Sequence, residues 1–309
     1  MSDAKLAAQV IAEVKRAVVG KDEVLIRVLL AILAGGHILL EDIPGVGKTT
    51  MALAFSKALG LRYGRVQFTP DVMPSDLTGF SILDRTTNQM EYQPGALMCN
   101  LFLADELNRA TSRTQSALLE AMEEGQVTVD GVSHPVPEPF LVIATQNPVG
   151  ASGTQLLPDS QMDRFMLRLS IGYPKPADEL ELLRRKRRNG VSMEVCQVLT
   201  HEGLQHLRRQ VEGVYISDEV LQYMVRLIGA TRNHPRIAQG ASPRASLALA
   251  SVSRACAYLH DRDYVVPEDV RTMFQDTVAH RLILSAGGAQ EAGALVQEIL
   301  GGVEAPRIR

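Results

Sequence analysis

The sequence predicts an α/β fold: a three-layer core built on a mainly parallel sheet, followed by a second, all-α domain. Three observations predict it. Short apolar runs alternate with helical patterns through the first half of the 309 residues. A glycine-rich loop follows the first of these runs and opens a helix. After Tyr173-Pro174 the pattern is helical to the end of the chain. We therefore expect a core over 1–174 and a helical domain over 175–309.

Five apolar runs in the first half predict strands, because they are too short for helices and are bounded by turn or polar residues. They cover residues 37–40, 65–68, 101–104, 140–145 and 165–171. Between them, segments 49–60 and 114–125 have helical patterns, and Gly125 stands where helices commonly end. Strands that alternate with helices indicate a mainly parallel sheet.

Two stretches interrupt this alternation and are interpreted as insertions on the core. Residues 75–96 carry turn residues in their middle. Residues 126–140 contain Asp130-Gly131 between β-branched residues, which is a hairpin signal. The last stretch, residues 286–309, has a sequence able to form a helix.

Composition limits the classes of function. Lys and Arg number 32 against 35 Asp and Glu, a formal net charge of −3, so the bulk basic charge of a polyanion-coating protein is absent. The three cysteines stand far apart without CxxC spacing, which argues against a disulfide framework and a cysteine zinc site. No apolar run approaches the ~18 residues of a membrane span. The N-terminus has the pattern of an amphipathic helix and not of a signal peptide. We expect a cytoplasmic, reduced compartment.

The strongest motif is IPGVGKTT at residues 43–50, which lies between a predicted strand and a predicted helix. Its glycines let the backbone turn N–H groups toward phosphates, and Lys48 neutralises phosphate charge. The Thr49 hydroxyl suits a Mg²⁺ ligand. The general pattern has glycine at the first position, where this chain has Asp42, but the rest of the loop is intact. The alternative is a helix-capping turn that binds nothing. The predicted nucleotide contacts here are Pro44, Gly45, Val46, Gly47, Lys48, Thr49 and Thr50.

Two further signals lie at the ends of predicted strands. Asp105 and Glu106 end the third strand, at the sheet edge where α/β proteins bind ligands. Asp105 can join the shell of a Mg²⁺ ion, and Glu106 can polarise an attacking water. Asn147 follows the fourth strand, where its amide could hold that water. Its alternative is a turn residue before Pro148.

Together these residues resemble an AAA+ ATPase, and within that superfamily the MoxR group. The resemblance covers nearly the whole chain. Its motifs are VVGKDEVL (18–25), EDIPGVGKT (41–49), RVQFTPDVMPSDLTG (65–79), ADELNRA (104–110), TQSALLEAMEEGQVTVDG (114–131), IATQNP (143–148), LPDSQMDRF (157–165) and GASPRA (240–245).

The resemblance assigns roles by position. It implies that Gly20 lies near the adenine, Lys48 and Thr49 form Walker A, Asp105 and Glu106 form Walker B, Asn147 is sensor 1, Arg164 is the arginine finger and Arg244 is sensor 2 on a helical lid. The two insertions resemble the helix-2 insertion and the hairpin before sensor 1. For Arg164 the alternative is a salt bridge with Asp159 or Asp163, and for Arg244 a solvent-facing helix start. Arg109 and Arg113 could also face a subunit seam.

The resemblance also implies cofactors and partners. These are ATP and Mg²⁺, a homo-hexameric ring in which Arg164 completes a neighbour's site, and chaperone-like remodelling of a protein client. A partner with a von Willebrand factor A domain would be a separate protein. ATP is preferred over GTP because no Asn-Lys-x-Asp signature occurs. Gln67 and Asn108 are candidates to restrain Glu106.

Two other functions are compatible with the same core. A nucleic-acid motor of this clade should have a basic hairpin tip, but residues 127–140 contain no Lys or Arg and residues 75–96 contain Arg85 alone. A switch that only binds nucleotide is disfavoured by Glu106, Asn147 and the two arginines. We also discount HEGLQH (201–206), whose histidines are five apart and miss the helix spacing of a zinc site. RRKRR (184–188) predicts a solvated helix face, with a partner or nucleic-acid patch as the alternative.

Overall fold

The computed structural model describes residues 3–42, 45–147, 157–189, 194–285 and 289–307. Its centre is a five-stranded sheet whose strands all pair in parallel. In spatial order the strands are β2 (Tyr63–Gln67), β5 (Leu101–Asp105), β8 (Leu141–Gln146), β1 (Ile38–Glu41) and β9 (Leu167–Leu169). Every residue of β5 and β8 is buried, as expected for strands covered on both faces. The predicted parallel sheet is confirmed, with strand ends that differ by a few residues from the expected ones.

The two faces of the sheet bury different apolar clusters, which gives the predicted three layers. Leu101 and Leu103 of β5 belong to the cluster that contains α1 (Asp3–Ala17), α2 (Asp22–Leu33) and α3 (Lys48–Ala58). Phe102 and Ala104 belong to the cluster on the other face, which contains α4 (Pro74–Thr78) and α5 (Ser112–Glu124). Successive side chains of one strand thus enter opposite layers.

Two antiparallel hairpins stand on this core. The first joins β3 (Gly79–Asp84) to β4 (Gln89–Pro94), and the second joins β6 (Gln126–Val129) to β7 (Val132–Pro135). Asp130 and Gly131 make the second turn with φ of 51° and 79°, the positive values of a type I′ hairpin turn. Tyr92 of the first hairpin stacks on His134 of the second, with ring centroids 3.7 Å apart.

The second half of the chain is mostly helical. A short helix, α6 (Asp159–Met162), precedes β9, and the longer helices after the sheet are α7 (Pro176–Asn189), α8 (His201–Glu212), α9 (Asp218–Arg232), α10 (Pro243–Leu259), α11 (Pro267–Val278) and α12 (Ala289–Gly302). The sheet ends at Leu169 and α7 begins at Pro176, on either side of the boundary expected near residue 174.

The helical half also contains one short strand pair that the sequence pattern did not predict. Strands β10 (Ile237–Gln239) and β11 (Ile283–Leu284) pair antiparallel within the helical half. Strands of three and two residues are too short to leave an alternating apolar pattern in the sequence. The pair connects the segment that precedes α10 with the segment that follows α11.

Candidate functional site

A cavity of about 310 Å³ lies at the carboxyl ends of β1, β5 and β8. Parallel sheets bind ligands at this edge. Its walls include eight of the predicted site residues, together with Asp42. The lining is Asp42, Gly45, Gly47, Lys48, Thr49, Thr50, Asp105, Glu106 and Asn147. The structure therefore places the predicted phosphate loop and the predicted residues at the strand ends in the wall of one cavity. Of the other predicted contacts, Val46 packs against the apolar core, and Pro44 lies outside the described residues.

The loop that enters α3 has the backbone form of an anion site. Gly45 and Gly47 have φ of 86° and 95°, values that favour glycine. Gly47 is the N-cap of α3, and the first turn of this helix carries no acidic side chain. The free N–H groups and positive dipole end of α3 therefore face the cavity and suit a phosphate.

Asp42 performs a structural task at the position where the pattern has glycine. Its backbone carbonyl accepts a hydrogen bond of 2.8 Å from Lys48 Nζ. Its buried carboxylate accepts from the backbone N–H of Ile171 and Gly172 and from Ser170 Oγ. Asp42 thus ties the phosphate loop to the end of β9 and positions the ammonium group. Burial lowers the pKa of Lys48, and the nearby Asp42, Asp105 and Glu106 oppose that shift.

Asp105 is held from two sides. Thr145 Oγ1, on the neighbouring strand β8, donates to Asp105 Oδ1 at 2.8 Å. Arg65 Nη2, on β2, donates to Asp105 Oδ2 at 2.8 Å. The Thr145 hydroxyl also accepts the N–H of Glu106 at 2.8 Å. Asp105 and Thr49 offer the carboxylate and hydroxyl oxygens that Mg²⁺ prefers. No motif singles out Arg65, although its place two residues before Gln67 puts both side chains on one strand face.

Glu106 has a left-handed backbone conformation, with φ 55° and ψ 48°, which is rare for residues other than glycine. Such conformations cluster at functional sites. Its carboxylate forms an ion pair with Arg109 Nη1 at 2.8 Å. Among the described residues no hydrogen bond joins Glu106 to either candidate restraint: Gln67 accepts from Arg65, and Asn108 Nδ2 donates to the Asn147 carbonyl. In the structure the side chain that pairs with the Glu106 carboxylate is Arg109.

Arg164 and Arg244 lie together, but in a second cavity of about 300 Å³. Both guanidinium groups pair with Glu123 at the end of α5. The salt bridge of Arg164 is with Glu123 and not with Asp159 or Asp163. Arg244 is exposed at the start of its helix, as in its alternative, and its guanidinium also pairs with Glu123. The phosphate cavity described above has neither arginine in its wall.

Gly20 lies against the start of α7. Its φ is 70°, a conformation that favours glycine, and a Cβ there would be 2.0 Å from the Asp178 carboxylate, which would have to move. The next residue, Lys21, donates from Nζ to the carbonyls of Ile171, Gly172 and Tyr173. Asp42 holds the same segment as Lys21, but Gly20 itself does not line the phosphate cavity.

Another group of potential metal ligands is a structural cluster. Ligand atoms of Cys256, His260 and Asp269 lie within 4.8 Å of one another. The Asp269 carboxylate is already bound by both terminal nitrogens of Arg262. Burial raises the pKa of the Cys256 thiol to about 12, which opposes the thiolate that a metal needs. In the HEGLQH segment, His201 Nε2 contacts the Glu138 carbonyl at the surface.

Two family models match this chain. The model described as "ATPase family associated with various cellular activities (AAA)" matches residues 37–167, and the AAA lid domain model matches residues 229–300. Fold and phosphate cavity thus define an AAA ATPase with its lid domain. No helix among the described residues is long and apolar enough to cross a membrane.

Similar proteins narrow the class. The chain is 44% identical to YeaC of Bacillus subtilis, over 97% of this chain and 95% of that protein. It is 39% identical to Chaperone MoxR1 of Mycobacterium tuberculosis, over 88% and 74%, and 30% identical to Protein MoxR of Paracoccus denitrificans, over 92% and 90%. A crystal structure of a candidate ATPase from Cytophaga hutchinsonii superposes with a TM-score of 0.91 at 37% identity, covering 99% of this chain and 96% of that one. The chain belongs to the MoxR family of AAA ATPases.

Proposed function

We propose that this protein binds ATP with Mg²⁺, hydrolyses it, and uses the cycle to remodel partner proteins in the manner of a chaperone. The observation that carries the proposal is the single cavity in which Lys48 and Thr49, at the start of α3, face Asp105, Glu106 and Asn147. The name of the similar Chaperone MoxR1 supports the chaperone role.

Each side chain of the cavity has a chemical task in this proposal. The N–H groups of the glycine loop and the Lys48 ammonium bind the β- and γ-phosphates. Thr49 and Asp105 would hold Mg²⁺, which would neutralise phosphate charge. Glu106 takes a proton from the attacking water, and Asn147 orients that water. Glu106 must first leave Arg109, so the described arrangement is a resting state.

We further propose that the working form is a ring, with six copies as the resemblance implies. The support is geometric: Arg164 and Arg244 lie in a different cavity from the phosphate site. Arginines that act on the phosphate of another copy make a head-to-tail contact, and such contacts close into rings when the rotation allows. A guanidinium supplied in this way accelerates phosphoryl transfer by about 10³–10⁵-fold.

The client is proposed to be a protein, with the β3–β4 hairpin as a contact. Phe80, Ile82, Leu83 and Met90 are exposed on this hairpin, and Arg85 is its one basic residue. A nucleic-acid track would need more positive charge. A partner with a von Willebrand factor A domain and a cytoplasmic location belong to the same proposal. The free cysteines Cys99, Cys196 and Cys256 suit a reducing compartment.

The test compares two variants of the phosphate site. Glu106→Gln should bind ATP without hydrolysing it, and Lys48→Ala should fail to bind ATP. Phosphate release is measured with and without Mg²⁺, and proteins that co-purify with each variant are identified by mass spectrometry, with nuclease treatment in parallel. Capture of a protein by Glu106→Gln alone, lost when Phe80 and Met90 are both changed to Ser, supports the proposal. Absence of Mg²⁺-dependent hydrolysis in the natural chain contradicts it, and capture that nuclease abolishes favours the nucleic-acid motor.

A further inference from the structure

Two arginines from distant parts of the chain meet on one carboxylate. Arg164 Nη1 donates to Glu123 Oε2, and Arg244 Nη2 donates to Glu123 Oε1. Each guanidinium therefore takes a different oxygen of the same group. Arg164 Nη1 also donates to the Leu119 carbonyl at 3.1 Å. The two arginines are separated from Glu123 by 41 and 121 residues of sequence, so the fold itself assembles this cluster.

The positions of the two arginines are fixed relative to each other by their neighbours. Asp163, next to Arg164, accepts from Ser242 Oγ at 2.9 Å and from Arg281 Nη1 at 3.0 Å. Ser242 in turn caps α10 by accepting the N–H of Arg244 at 3.1 Å. The Arg281 side chain is only 2% exposed. A buried anchor thus holds the loop of Arg164 and the helix of Arg244 side by side.

The guanidinium groups themselves remain accessible. The side chains of Arg164 and Arg244 are 31% and 48% exposed, and Glu123 is 39% exposed. Once Arg281 is paired with Asp163, Glu123 is left as the single carboxylate between two guanidiniums, a local excess of one positive charge. This is an open receptor for an anion with several oxygens, and planar guanidiniums bind phosphoryl oxygens well.

We propose that Glu123 is a built-in counter-ion that occupies Arg164 and Arg244 until the γ-phosphate of ATP bound to another copy displaces it. A phosphoryl group presents more oxygens and more negative charge than one carboxylate, so it wins the competition when it is close enough. Glu123 then raises the concentration of ATP-loaded copies that assembly requires. This inference rests on the proposed function, since it assigns the occupant of the receptor to the ATP of a second copy.

If Glu123 only positioned the two arginines, its removal would change anion binding in the opposite direction. If Glu123 only positions the arginines, its removal must weaken anion binding, because the guanidiniums would lose their alignment. If Glu123 competes with phosphate, its removal must strengthen anion binding. Exposed ion pairs are weak, so removing two of them should strengthen phosphate binding by about three- to tenfold.

The first experiment measures phosphate binding without ATP chemistry. Full-length Lys48→Ala protein serves as background, because it lacks the main phosphate ligand of the other cavity. Arginine Nε–Hε NMR signals are followed while inorganic phosphate is added. Glu123→Gln should bind phosphate about three- to tenfold more tightly, and Arg164→Gln with Arg244→Gln should abolish that response. Glu124→Gln, the adjacent exposed carboxylate, is the matched control and should leave the affinity unchanged. Equal or weaker binding by Glu123→Gln overturns the proposal.

The second experiment measures assembly by sedimentation velocity in the presence of a non-hydrolysable ATP analogue, with Lys48 intact. Glu123→Gln should assemble at a protein concentration about three- to tenfold lower than the natural chain or Glu124→Gln, while its affinity for the analogue is unchanged at dilutions where no copies associate. An assembly threshold that stays the same or rises contradicts the displacement by a second copy. Failure of the natural chain to hydrolyse ATP would defeat the proposed function alone, because the phosphate titration does not depend on hydrolysis.

Discussion

The carboxylate of Asp42 accepts hydrogen bonds that a glycine at the first position of the loop could not accept. Its donors are two backbone N–H groups and the Ser170 hydroxyl. Buried N–H groups that lose their acceptor carry a desolvation penalty. The departure from the general pattern therefore has a structural reason, which is the connection between the phosphate loop and the end of β9.

Asp42→Gly restores the glycine of the general pattern and should nevertheless destabilise the protein. We expect a loss of about 1–3 kcal/mol in the free energy of unfolding, because the N–H groups of Ile171 and Gly172 lose their acceptor. Asp42→Asn retains one acceptor oxygen and should lose less. Urea unfolding measures both variants. A glycine variant as stable as the natural chain would show that the carboxylate contributes nothing here.

Removal of the Arg109 side chain should change kcat in a definite direction. In the proposed mechanism, its ion pair with Glu106 opens before Glu106 polarises water. Arg109→Ala should raise kcat by up to about fivefold, the range of an exposed ion pair, with little change in KM. Arg109→Lys keeps the charge and should behave like the natural chain. Steady-state phosphate release decides, and a kcat that falls in the alanine variant but recovers with lysine would assign Arg109 to catalysis.

The start of α10 connects helix capping to the pair of arginines, Arg164 and Arg244. Ser242 caps α10 and also donates to Asp163. Ser217 caps α9 in the same way, by accepting the N–H of Val220. No hydrogen bond joins Ser217 to Asp163 in the described part of the chain. The two caps therefore differ in their connection to Arg164.

Ser242→Ala and Ser217→Ala form a matched pair. Each should cost about 1 kcal/mol of stability, the usual value of a serine cap. Only Ser242→Ala should also reduce ATP hydrolysis at low protein concentration, because it loosens the anchor that aligns Arg244 with Arg164. Thermal unfolding and phosphate release are measured for both. Equal activity in the two variants would show that the Asp163 contact does not align the arginines.

Some secondary-structure elements could be predicted from the sequence, and others could not. Strands such as 101–105 and the hairpin at Asp130-Gly131 follow from local patterns: an apolar run between polar ends, and a turn pair that accepts positive φ. Strands β10 and β11 left no such pattern. The carboxylates and phosphate loop were predictable from motif spacing, whereas the partners Arg109, Arg65 and Glu123 depend on side-chain directions or on contacts across 40 or more residues that spacing does not encode.

The two halves of the chain share one apolar core. Leu25 and Leu29 of α2 belong to the same buried cluster as Leu204 of α8 and Leu249 of α10. Core and lid segments therefore stabilise each other. The partly buried His37 and the buried His280 lie in the packed interior. Their titration makes the free energy of unfolding depend on pH.

His37 and His280 are held neutral by their surroundings. His37 Nδ1 accepts the N–H of Val142 at 3.0 Å, so its Nε2 carries the proton that is donated to the Met122 carbonyl. Burial lowers the pKa of His37 to about 4. His280 donates to the Phe165 carbonyl, and burial next to Arg281 lowers its pKa well below the usual value.

Acid should therefore destabilise the protein through these two side chains. Between an unfolded pKa of 6.5 and a folded pKa of about 4 for His37, unfolding takes up a proton. Stability is complete above pH 6.5 and falls as the pH decreases through that window, by about 1–3 kcal/mol for His37. The lowered pKa of His280 changes stability in the same direction. His37→Asn and His280→Gln retain an acceptor at one site and a donor at the other without titrating, so the double variant should show a flatter profile. Urea unfolding at a series of pH values measures this, with the exposed His260→Gln as control for loss of a histidine. A profile equally steep in the double variant would show that His37 and His280 do not carry the acid sensitivity.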